Sequence, residues 1–124
     1  MSEGAYVWLI PDGYIPKESS AGAQLSHEAI CVLNAASEEA HLSIAFYFED
    51  KDPIKDVRVT VPPERTRHIR TDLPEQVGGA TLPRGVPYAV RVECDVPITV
   101  QHSRMDTSQE ALALMTTIAQ PVRW

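Results

Sequence analysis

A two-residue period of apolar side chains runs through most of the chain and constrains its fold more than any motif does. Leu42, Ile44, Phe46 and Phe48 fall on one parity while His41, Ser43, Tyr47 and Glu49 fall on the other. The alternation returns in Val57, Val59 and Val61, in Tyr88, Val90 and Val92, and in Val96, Ile98 and Val100. Successive side chains of a strand point to opposite faces, so each run reads as a strand with one buried face. Ala5 to Ile10 and Ala29 to Leu33 are apolar on both parities and read as central strands covered on two sides. The count is at least six strands.

Proline and glycine punctuate these runs at Pro11, Pro53, Pro62 and Pro63, Gly78 and Gly79, Pro83, Gly85 and Pro97, where turns and sheet edges tolerate them. Many short strands with this punctuation predict an all-β, antiparallel β-sandwich, and 124 residues suit a single domain spanning 1–124. One segment is open. Thr107 to Glu110 has the spacing of a helix capping box, whereas Leu112, Leu114 and Ile118 fit a final strand, which is slightly favoured.

Composition narrows the partners. Eleven Lys+Arg against 17 Asp+Glu leave a net charge of −6, which as a whole disfavours nucleic acid and anionic lipid. The N-terminus lacks a secretory pattern, and no apolar run approaches the roughly 20 residues that span a bilayer, so a cytoplasmic location is expected. Cys31 and Cys94 have the separation of an inter-sheet disulfide, but a reducing compartment and the lack of a Trp between them favour two buried thiols.

The chain has no Gly-rich phosphate loop, G-x-S-x-G elbow, H-E-x-x-H or CxxC pair. Its histidines, His27, His41, His68 and His102, are scattered singly without an H-x-H pair, so no metal, cofactor or catalytic residue is expected. More informative is the run from Gln101 to Asp106, which continues the alternation of Val96, Ile98 and Val100 unbroken. Parity keeps His102, Arg104 and Asp106 on the core-facing side, where charges must be paired or sit where the sheets open. They are therefore expected at one rim, as a salt bridge closing the core or as the floor of a polar pocket. Two long connections, Pro11 to about Ser26 and Thr71 to about Val86, are of a length usually associated with function. The first displays Tyr14 between Gly13 and Pro16, either as a contact residue or as a cap on the core. If its far end, Ser26-His27-Glu28, meets the rim, then His27, Glu28 and Tyr14 join His102, Arg104 and Asp106 in a site for a small polar ligand. Arg58, Arg65, Arg67, His68 and Arg70 form a second candidate, a basic stripe for an anion or DNA, or else a solvated face paired with local acids.

These segments together resemble the sensory rhodopsin transducer family. The resemblance rests on Gly13-Tyr14-Ile15-Pro16, Ser26-His27-Glu28, Leu33-Asn34-Ala35, Arg65 through Arg70, Val96-Pro97-Ile98 and Val100 through Asp106, in order along nearly the whole chain. It implies a cytoplasmic, carbohydrate-binding-like β-sandwich assembled as a homotetramer. A membrane photoreceptor or other receptor is the implied partner. The reading that follows is a non-catalytic binding or signalling module for a small polar ligand, perhaps a sugar, or a receptor tail. A DNA-contacting regulator and a metal-dependent enzyme acting on sugars are the alternatives.

Overall fold

The computed structural model describes residues 3–17, 26–107 and 113–123. Eight strands follow in order: β1 (Ala5–Gly13), β2 (His27–Asn34), β3 (Ala40–Phe48), β4 (Ile54–Val61), β5 (Arg65–Arg70), β6 (Tyr88–Asp106), β7 (Ala113–Ile118) and β8 (Gln120–Pro121). All pair antiparallel, in the orders β4-β3-β6-β1-β8 and β5-β2-β6-β7. The fold is the expected all-β sandwich. A 3-10 turn at Pro74–Gln76 interrupts the longest ordered connection. Among the described residues no helix is long and apolar enough to cross a membrane.

The two sheets share one strand. Tyr88 to Cys94 of β6 pair with β3, and Thr99 to Met105 pair with β2. Where alternation suggested two strands, around Tyr88–Val92 and Val96–Val100, there is one strand of 19 residues. Pro97 lies where β6 leaves one sheet and enters the other, a place where its missing N–H removes no ladder bond. The even-numbered side chains Val90, Val92, Cys94, Ile98, Val100 and His102 stay buried throughout, so the bend does not reverse the inward face.

Between the sheets, Phe46, Leu42 and Ile44 of β3 meet Ile30 and Val32 of β2 and Ile69 of β5. Burying each such aliphatic or aromatic side chain contributes about 1.5–3 kcal/mol. Phe46 also packs on Tyr88 with ring centroids 6.0 Å apart. Polar groups within the core are answered. The Trp8 indole N–H donates to the carbonyls of Ala5 and Ile98, and the Asn34 amide donates to those of Glu38, Val61 and Pro62.

Two expectations change. Strands β1 and β2 are not covered on both faces, since Tyr6, Leu9 and Leu33 are exposed; their outward apolar residues lie on sheet surfaces rather than between layers. Cys31 is only half-buried for the same reason, because it points outward from β2. Cys94 faces the core, where burial pushes its thiol pKa up. The final segment resolves as a strand over Ala113–Ile118, while 108–112, with most of the capping-box spacing, lie outside the described residues.

At the bend of β6, Asp95 meets the start of β3. His41 Nδ1 lies 2.7 Å from Asp95 Oδ2 and His41 Nε2 lies 2.9 Å from Glu39 Oε1. Hydrogen bonds to Asp95 and then Glu39 raise the His41 pKa above its ordinary 6.5, and the His41 backbone and side chain lower that of Asp95 below its ordinary 3.8. The raised histidine value contributes stability below pH 6.5 that is lost as pH rises through its folded pKa. The lowered aspartate value contributes stability above pH 3.8 that is lost as pH falls through its folded pKa. Between those limits the clamp is complete, although its exposure keeps the effect small. The variant His41→Gln should therefore lose less melting temperature than the wild type as pH is raised above 6.5; equal slopes in thermal melts would contradict the assignment.

Candidate functional site

Strand β2 turns Glu28, Ile30, Val32 and Asn34 inward, and the alternation that buries the aliphatic pair also buries a carboxylate. Glu28 has 0% exposure. Stripping an ion of water costs several kcal/mol, so the charge must be answered by close donors. Its oxygens divide the task. Oε1 accepts the Tyr14 backbone N–H at 2.9 Å and the Tyr88 hydroxyl at 2.5 Å. Oε2 accepts Arg104 Nε at 2.5 Å and has His102 Nε2 at 3.3 Å. The Glu28 carbonyl in turn accepts the Thr71 N–H at 3.0 Å, and the Thr71 hydroxyl lies 3.0 Å from that of Tyr88.

The electrostatics follow from burial. Desolvation first, then the charge of Glu28 and its hydrogen bond, push the Tyr88 phenol far above its ordinary range, so it stays protonated and donates. Burial by itself would lower the Arg104 pKa, but the hydrogen bond and charge of Glu28 outweigh it and hold the guanidinium more firmly protonated. His102 Nε2 is the exception. It sits within ion-pair distance of Oε2 yet is misaligned for a hydrogen bond, and it is buried without another partner.

A cavity of about 250 Å³ opens beside this cluster, where the end of β1 separates from β7. His102 and Arg104 line its polar side, Leu9, Met115 and Ile118 its apolar side, and Asp12 its rim. Arg104 reaches Asp12 with a terminal nitrogen 3.5 Å from Oδ1, and its guanidinium carbon stands 6.0 Å from the Tyr14 ring centroid. Gly13 lets the chain pass here, because a Cβ at this position would lie 2.7 Å from the Tyr88 ring. Beyond it the loop is tied down by the Gly85 N–H on the Ile15 carbonyl and by Arg84 on the carbonyls of Pro16 and Ser26.

Of the six residues expected at the rim, Tyr14, Glu28, His102 and Arg104 come together. His27 does not join them, because it precedes Glu28 on the strand and takes the opposite face, opposite Met105. Asp106 lies at the end of β6 paired with Ala113, and the ion pairs of Arg104 go to Glu28 and Asp12. The basic stripe is divided by the same alternation. Arg58 is on the outer face of the other sheet, 3.9 Å from Asp56. Arg67 reaches across to the Thr60 carbonyl, and Arg65 to that of Glu64. His68 and Arg70 face outward from β5, with Arg70 in a two-bond fork on Asp72. Sequence reading missed Tyr88, Thr71 and Asp12 as members of the cluster. Tyr88 shares the inward parity of Val90 and Val92, so its hydroxyl had to find a buried acceptor.

Among the described residues no group of three or more His, Cys, Asp or Glu side chains is arranged to hold a metal ion. Comparison with known proteins places the fold and these residues in context. The chain belongs to the Anabaena sensory rhodopsin transducer family, whose model matches residues 3–121. The crystal structure of Thermotoga maritima 1070 is similar over 97% of this chain and 97% of that one, with a TM-score of 0.86 and 36% identity. The Anabaena sensory rhodopsin transducer is similar over 82% of this chain and 89% of that one, with a TM-score of 0.70 and 40% identity. No curated protein matches.

Replacing Glu28 with Gln preserves shape and removes the charge that Arg104 and Tyr88 answer. The Arg104 side chain is 15% exposed, so Glu28→Gln should cost about 3–5 kcal/mol in urea unfolding, as expected for stranding one member of a buried pair. A loss under about 1 kcal/mol, typical of an exposed pair, would contradict that role.

Proposed function

We propose that the chain is a non-catalytic signalling module that works as a homotetramer and takes a small polar ligand, or a polar side chain of a receptor tail, in the cavity beside Glu28. The observation that carries this reading is the division of one buried carboxylate. Oε1 holds the Tyr14 loop and Oε2 holds the cavity floor. A ligand that draws Arg104 or His102 toward itself changes what Oε2 feels, and the same carboxylate carries that change to the loop. The family and its Anabaena member, named for a sensory rhodopsin, support a receptor as the source or recipient of the signal.

The cavity suits recognition better than turnover. Glu28 is saturated with donors and sealed from solvent, and Tyr88 is held in its protonated form, so neither is poised to exchange a proton with a bound molecule. The polar floor with an apolar wall fits a neutral sugar or a mixed polar and apolar side chain.

Thermal shift with a panel of monosaccharides and with a peptide of a sensory rhodopsin's cytoplasmic tail tests this. A true ligand at a hundred times its dissociation constant should add about 2.7 kcal/mol of stability. The variant His102→Gln should remain folded and lose that shift. Binding that survives in His102→Gln, or a panel and peptide that shift nothing, would count against the site.

A further inference from the structure

Strand β7 is unusual among the strands described. Five of its six residues are exposed, it pairs only with β6, and it carries no charged side chain. Its registry with β6 sets Gln101 opposite Ile118, Ser103 opposite Thr116 and Met105 opposite Leu114. Because odd positions of β6 point away from the core here, Leu114, Thr116 and Ile118 lie on the outer face of the β5-β2-β6-β7 sheet. Leu114 and Ile118 are 66% and 64% exposed, and Leu33, on the same face of β2, is 47% exposed. Protein surfaces seldom leave such side chains clustered without a use.

The charge distribution says which occupant fits. Along the described strands of this face the formal charge is that of Arg70, already neutralised by its fork on Asp72. The opposite outer face, on the β4-β3-β6-β1-β8 sheet, carries Arg58, Arg91 and Glu93. Two copies of a chain with net charge −6 repel each other, and they approach at least cost through a surface that adds no charge to the contact. A flat antiparallel sheet face is also self-complementary under two-fold rotation, with outer side chains interdigitating as two sheets stack about 10 Å apart.

We infer that the outer face of the β5-β2-β6-β7 sheet is the docking surface for a second copy of this chain, packed face to face across a two-fold axis. The inference rests on the assembly proposed above and assigns one interface within it. It also places the partner behind β7, whose other side walls the cavity, so that assembly and ligand site share a strand.

The test compares the mass of the wild type with that of Leu33→Glu/Leu114→Glu, which puts two charges on this face at exposed positions outside the cavity lining. Light scattering should show the wild type as a tetramer and the double variant as a dimer or monomer with unchanged circular dichroism. Tyr47→Glu, on the opposite face, should keep the wild-type mass. Cys31 supplies an independent readout, since its outward thiol is covered in the assembly: labelling should be slow in the wild type and faster in the double variant. If the double variant loses its β signal, wild-type labelling across a dilution series replaces it, and the rate should rise as the assembly dissociates. A double variant of unchanged mass, a Tyr47→Glu variant that dissociates, or a Cys31 rate indifferent to dilution overturns this interface and leaves the assembly standing. A wild type that is monomeric at micromolar concentration overturns both.

Discussion

A carboxylate sealed inside a β-sandwich must have its charge answered within hydrogen-bonding distance, and Glu28 imposes that demand on three separate parts of this chain. Tyr14 brings a backbone N–H from the loop after β1, Tyr88 brings a hydroxyl from the start of β6, and Arg104 brings a guanidinium from near its end. Thr71 supports the same point through the Glu28 carbonyl and the Tyr88 hydroxyl. None of these groups is near another in sequence. The geometry of this end of the sandwich is therefore set by one charge, and partial satisfaction would be worse than an apolar replacement. A network that must be complete to be stable also registers a change at any one of its members.

Strand β6 makes the arrangement possible. Because it runs through both sheets without reversing its inward face, Tyr88 and Arg104, 16 positions apart, both point to the core side. The curvature at Pro97 returns the two ends of the strand to Glu28 from opposite sheets. A β-sandwich with two separate strands here would need a turn between them, and their relative parity would not be fixed. The His41–Asp95 clamp lies on the outside of this bend, where the ladder is interrupted.

The sheet assignment, the inward parity of His102 and Arg104 and the family were legible in the sequence, because each depends on local alternation or on strings of residues that stand together. The partner of Arg104 was not. Asp106 shares its strand and parity and is close in sequence, whereas Glu28 is brought to it by pairing of β2 with β6, a register that alternation alone leaves open. Parity did carry a usable signal for Glu28, which falls on the side of Ile30 and Val32, and the same signal separates His27 from it. The continuity of β6 was hidden by a proline and by Asp95, both of which are ordinary marks of a strand end. Outward exposure of Cys31 and Leu33 was hidden because an apolar residue on the outer face of a sheet looks, in sequence, like one between two layers.

The central claim is that Glu28 couples the Tyr14 loop to the cavity floor, and amide hydrogen exchange at Tyr14 tests it most directly. In the wild type the Tyr14 N–H should be strongly protected although it lies on a loop, because its acceptor is a buried carboxylate. In Arg104→Gln, which releases Oε2 on the other side, that protection should fall while the amides of Ile44 and Val92 in the core remain protected. A Tyr14 amide that exchanges like an exposed loop in the wild type, or one indifferent to the loss of Arg104, would contradict the account.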